Sequence, residues 1–146
     1  MATTNAALET LIDTVYDSVD GYRKAAETAT TPKLKTILGQ QADKRQKTLD
    51  TLNAELQRVG GDLVTKGTAA GGLHKLWMSI TDLFEKGDEA AVERVEEGED
   101  YLVKKFEAAL EAGTIDAGSR PVVEAALAEI RAGERLTDQL EAQYDD

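Results

Sequence analysis

Two charged side chains of this 146-residue chain, Arg45 and Glu99, fall where the hydrophobic pattern asks for an apolar one, with Gln41 and Glu134 alongside. A lone carboxylate or guanidinium in a core is costly, so each such group needs a partner. Arg45 and Glu99 are opposite in sign, and a guanidinium can grip a carboxylate through two parallel N–H bonds. The pattern predicts that they pair in the core, with Gln41 and Glu134 completing the hydrogen bonds. The alternative turns both side chains to the edge of their helices, with Arg45 snorkelling to water.

Little else in the chain could do chemistry. His74 is its one histidine and cysteine is absent, so no Ser/His/Asp or Cys/His constellation, disulfide or thiolate metal site can be assembled. His74 stands close to Trp77, and both read as residues that dock a connector, a partner groove at Trp77 being the alternative. Gly60-Gly61 follows no strand and lacks the Lys-Ser/Thr of a phosphate loop. Glu96, Glu97, Glu99 and Asp100, with Glu93 nearby, form an acidic run of the kind that usually lines a solvated face. The net charge of -11 argues against nucleic acid, because phosphate binding needs clustered Lys and Arg. An acidic surface keeps a helical protein in solution. The N-terminus has no basic start or apolar run, and no stretch nears the roughly 20 apolar residues of a membrane span. The expectation is a soluble cytoplasmic protein with no membrane partner.

Helices must position these residues. Leu8, Ile12, Val15, Val19, Tyr22, Ala26 and Ala29 alternate in steps of four and three, which keeps one stripe inward while Asp13, Asp17, Asp20 and Lys24 stay wet. A second pattern runs on Leu34, Leu38, Ala42, Arg45, Leu49, Leu52, Leu56 and Val59, and a third on Val92, Val95, Glu99, Leu102, Phe106 and Ala109. The fourth uses Val123, Ala126 or Leu127, Ile130, Gly133, Thr137, Leu140 and Tyr144. Thr31-Pro32, Gly60-Gly61, Gly87-Asp88 and Gly113 to Gly118 separate them. The spacing predicts a single all-α domain with helices at about 5–29, 32–59, 88–112 and 119–144, and Asp88 as the N-cap of the third.

Short turns make helices one and two, and three and four, antiparallel hairpins. The link at 60–87 is long enough to travel the length of a bundle and carries a short amphipathic helix on Leu73, Leu76, Trp77, Ile80, Leu83 and Phe84. A single crossover of this kind is the ferritin-like connectivity. The alternative is a five-helix domain with residues 72–86 in the core. Counting from the turns, Val15, Arg45, Glu99 and the Gly133-Glu134 pair all fall at one middle level.

The run Gly21-Tyr22-Arg23-x-Ala25-Ala26-Glu27, then Gly60-Gly61-Asp62, Gly71-x-x-His74-Lys75-x-Trp77 and Glu97-Gly98-Glu99-Asp100 recur in this order in a known family. The chain resembles, over nearly its whole length, small bacterial four-helix-bundle proteins of unknown function (domain of unknown function 2383) in the ferritin-like superfamily. That resemblance implies a fold far more than an activity. Di-iron members of the superfamily place a Glu on helices one and three and Glu-x-x-His on two and four. Here the corresponding residues are Val15, Arg45-Gln46-Lys47-Thr48, Glu99 and Arg131-Ala132-Gly133-Glu134, so that only Glu99 and Glu134 are retained and no histidine is. The expectation is a non-catalytic structural or interaction protein without a cofactor, able to self-associate. The alternative is a degenerate iron or manganese protein using Glu99 and Glu134.

Overall fold

The computed structural model describes residues 2–61 and 87–145. Four helices carry them: α1 (Ala2–Thr28), α2 (Pro32–Arg58), α3 (Asp88–Ala112) and α4 (Arg120–Asp145). The connector residues His74 and Trp77, and the short helix expected around them, lie outside the described residues.

Two sets of polar contacts fix the direction of each helix. At one end of the bundle, the hydroxyls of Thr30 and Thr31 both donate to the Asp88 carboxylate, the shorter bond being 2.6 Å. The end of α1 and the starts of α2 and α3 therefore meet there. At the other end, Ser119, just before α4, donates to Glu55 Oε2 at 2.6 Å, close to the end of α2. Helices α2 and α3 thus run parallel, and each is about 40 Å long at the helical rise. The chain leaves α2 at one end and enters α3 at the other, so the link between them is a full-length crossover. Helix α1 packs against α2 and α3, and α4 packs against the same two. This leaves α2 and α3 on one diagonal of the square and α1 and α4 on the other. The result is an all-α four-helix bundle with the connectivity of ferritin-like folds.

The same contacts explain the helix starts. Thr31 precedes Pro32 in extended geometry, yet its side chain does not cap α2, because the hydroxyl is committed to Asp88. Asp88 is not the N-cap of α3 as its sequence suggested. Gly87 occupies that position, and Asp88 is the first helical residue, its charge favourable at the positive end of the helix dipole. Helix α3 stops at Gly113, whose φ of 72° is left-handed and suits a residue without Cβ.

The heptad stripe of α1 is inside, with Leu8, Ile12, Val15, Val19 and Tyr22 all buried against Leu38, Leu49, Leu52, Val92, Leu102 and Phe106 of one core. Burial on α1 is wider than that stripe. Leu11, Thr14, Asp17 and Ser18 are buried too, so Asp17 is not the wet residue the spacing suggested. The reason is that a helix of a square bundle packs on two neighbours, which covers more of its circumference than a two-stranded seam would.

Candidate functional site

Arg45 is the largest fully buried side chain in the described structure, and it lies at mid-height in the bundle. Its Nη1 and Nη2 donate to Glu99 Oε1 and Oε2 at 2.8 and 2.5 Å, a fork-to-fork pair with both partners at 0% exposure. Nη1 also donates to Ser18 Oγ at 3.0 Å. Nε donates to Glu129 Oε1 at 3.0 Å, and Nη2 reaches Glu129 Oε2 at 3.4 Å. A guanidinium has five N–H donors, and all five are used. Thr48 Oγ1 donates to Glu129 at 2.6 Å, holding that carboxylate toward the core. The Tyr22 ring closes one side, 5.5 Å from the guanidinium carbon. All four helices contribute: Ser18 and Tyr22 from α1, Arg45 and Thr48 from α2, Glu99 from α3, and Glu129 and Gly133 from α4.

Gly133 makes the space. A methyl group there would collide with Glu99 Oε2 and lie 3.0 Å from Arg45 Nη2, with Gln41 Oε1 at 3.5 Å. The helix interior normally disfavours glycine, so the close approach of the ion pair accounts for it here.

Charge bookkeeping keeps the layer ionised. Burial pulls the Arg45 pKa down, but the Glu99 charge and hydrogen bonds, aided by Tyr22 and Glu129, raise it above the usual arginine value. Tyr22 is pushed well above the ordinary tyrosine range, first by burial and then by the Glu99 charge, against the opposing effect of Arg45. It therefore stays a neutral phenol.

Of the residues singled out from the sequence, the structure brings Arg45 and Glu99 together and sets Gln41 beside them. It does not bring Glu134 into the layer. That carboxyl turns toward α3 and bonds to Asp100, and burial followed by the Asp100 contact raises its pKa. The Asp100 pKa is lowered, chiefly by its hydrogen bond from Lys104. The place expected for Glu134 is taken by Glu129. Its signal was legible in retrospect: it stands one turn before Gly133 on the same α4 face. Ser18 is likewise one turn before Tyr22. The acidic run is not uniformly solvated either: Glu97 is exposed, Glu96 and Asp100 are half-buried against α4, and Glu99 is in the core.

Could this layer hold a pair of metal ions? The residues present do not fit one. Both Glu99 oxygens are engaged by a cation, Glu129 is spent on the same cation, and the described layer contains no imidazole. Any incoming ion would have to displace a guanidinium whose charge repels it. Among the described residues, one group of acids, Glu96, Asp138 and Glu141, has oxygens within 4.8 Å of one another. It is half-exposed and lies on the α3/α4 seam, away from Arg45.

The fold and the buried layer together define a four-helix bundle with one crossover and an ion-paired core. The chain belongs to the family described as Domain of unknown function (DUF2383), which it matches over residues 3–112, that is, α1 through α3. No curated protein and no solved structure matches it. Glu129 and Gly133 lie beyond the matched span. None of the described helices is long and apolar enough to cross a membrane.

Proposed function

We propose that the protein is a non-catalytic helical bundle with a structural or protein-interaction role. In it, an arginine–glutamate layer occupies the level at which di-metal bundles of the same connectivity hold their ions. The observation that carries this reading is the saturation of Arg45: five donors, five acceptor contacts, and none left to bind or polarise a substrate. A buried side chain so completely engaged is a fixture of the core. The Tyr22 phenol, which closes one side of the layer, stays protonated across the physiological range. The proposal includes a cytoplasmic setting in a bacterium, which cell fractionation would check.

The test is elemental analysis of protein purified from cells supplied with iron and manganese. The expected result is metal far below one ion per chain, unchanged by Glu99→Gln. Stoichiometric metal that Glu99→Gln removes would sink the reading and restore a carboxylate metal centre.

A further inference from the structure

Helices α2 and α4 both carry a glycine in their interior, Gly39 and Gly133. The ion pair accounts for Gly133, but nothing within the chain accounts for Gly39. A Cβ added there would meet no atom within 4 Å, so alanine would fit and would favour the helix. What glycine provides at such a place is close approach by a second backbone.

Gly39 lines a hollow of about 440 Å³ on the outer side of the α1/α2 groove. The charged residues around it are Arg23 and Glu27 of α1 and Lys35 and Asp43 of α2, two cations and two acids, all exposed. On a chain whose net charge is -11 this is a neutral patch, so two copies meet here with little of the repulsion their totals impose.

The two α2 charges are placed symmetrically about the glycine. Lys35 is four residues before Gly39 and Asp43 four after, roughly 6 Å along the helix and about 40° round it to either side. A two-fold axis through Gly39, perpendicular to α2, exchanges positions 35 and 43. Each Lys35 then falls opposite Asp43 of the partner subunit.

Lys35 is already held for such a contact. Its ammonium donates to the carbonyls of Ala26 and Glu27 at the end of α1, at 3.0 and 2.9 Å. Two of its three N–H donors are thereby used, and the third remains for an outside acceptor. Asp43 forms no ion pair with a described residue. Most surface ion pairs gain little because ordering a long side chain costs what the attraction supplies, and a lysine held by two carbonyls has met that cost beforehand.

We infer that two copies of this chain pair through antiparallel α2 helices about a two-fold axis at Gly39, with Lys35 of each on Asp43 of the partner subunit. The contact uses the same patch on both copies, so it closes at the dimer. This rests on the interaction role proposed above and gives it a partner and a surface. The two fail separately: a monomer overturns the dimer alone, whereas metal that Glu99→Gln removes would sink the non-catalytic reading whatever the mass.

Sedimentation of the full chain over a range of concentrations tests the pairing. The mass should rise from 15.8 kDa toward twice that value and go no further. Gly39→Gln puts a good helix former into the hollow, where it meets nothing in its own chain. The variant should be monomeric, with its helical signal intact. A wild-type chain that is monomeric throughout, or a dimer that Gly39→Gln leaves in place, overturns the inference.

Charge reversal reads the register. Asp43→Lys sets lysine against lysine at both contacts, and Lys35→Glu sets acid against acid. Each alone should weaken the dimer by more than about tenfold, because opposed like charges are costly at an interface. Mixed one to one, the two variants should pair again, since both contacts then join opposite charges. A mixture no more associated than its parts overturns the register. Lys35→Glu also gives up the α1 carbonyls; should its helical signal fall, Asp43→Lys carries the test alone, and an unweakened dimer overturns the inference.

Discussion

Gly133 of α4 and Glu99 of α3 face each other so closely that the glycine Cα is the wall of the carboxylate's pocket; a methyl there would strike Glu99 Oε2. Gly133→Ala therefore has an informative sign. In an exposed helix this change stabilises by about 1 kcal/mol, because alanine is the better helix former. Here overpacking against a fully buried ion pair should outweigh that gain and destabilise by about 1–3 kcal/mol. Chemical denaturation of the two proteins measures it, and a stabilised variant would mean the pair is not seated against α4.

The ion pair should behave as a unit. Removing one partner leaves the other charged and buried, so Arg45→Met or Glu99→Leu alone should cost about 3–5 kcal/mol. The double variant replaces the pair by apolar side chains and should lose less than either single change. Glu129, with 23% of its side chain exposed, can then turn to water. A double-mutant cycle on unfolding free energies reads the coupling, and simple additivity would show two independent charges.

Much of this was legible in the residues for physical reasons. A heptad stripe reports burial directly, so a charge on it, as at Arg45 and Glu99, stands out. The direction of α2 against α3 followed from the length of the link, because a short loop can join only antiparallel neighbours. What stayed hidden depends on side-chain reach and on the second neighbour of each helix. Glu129 lies on the margin of its stripe and reads as a surface acid until Arg45, 84 residues away in the chain, turns toward it. Glu134, five residues on and about 140° further round α4, flanks the stripe on its other side and turns toward α3 instead. Asp17 resembled a solvated acid because a heptad describes one seam, while α1 has two.

The acidic seam gives stability a pH dependence of defined sign. Burial and then the charges of Asp138, Glu141, Asp100 and Glu134 raise the Glu96 pKa to about 7, above the 4.5 of an unperturbed glutamate. Glu134 is raised as well, first by burial and then by Asp100. The folded chain thus binds more protons than the unfolded chain between these limits, and stability falls as pH rises through about 7. The melting temperature should be higher near pH 5.5 than near pH 8. Glu96→Gln should flatten that difference, and an equally steep profile in the variant would place its origin elsewhere.

At the end of the bundle, Asp88 joins the two hairpins through the hydroxyls of Thr30 and Thr31. Burial tends to raise its pKa, but the hydrogen bonds from Thr31 and Thr30 prevail and lower it below 3.8. The carboxylate form therefore contributes stability above the ordinary aspartate pKa, and that contribution is lost as pH falls through the depressed one. Asp88→Ala should cost about 1–2 kcal/mol at neutral pH, combining the lost charged hydrogen bonds with the lost favourable charge at the start of α3. Thr31→Val, which keeps the shape and removes the shorter bond, should cost a smaller share. Denaturation at pH 7 and again near pH 2.5 tests this tie: the gap between wild type and Asp88→Ala should close in acid. A gap that persists in acid would assign the loss to packing rather than to the carboxylate that ties α3 to the start of α2.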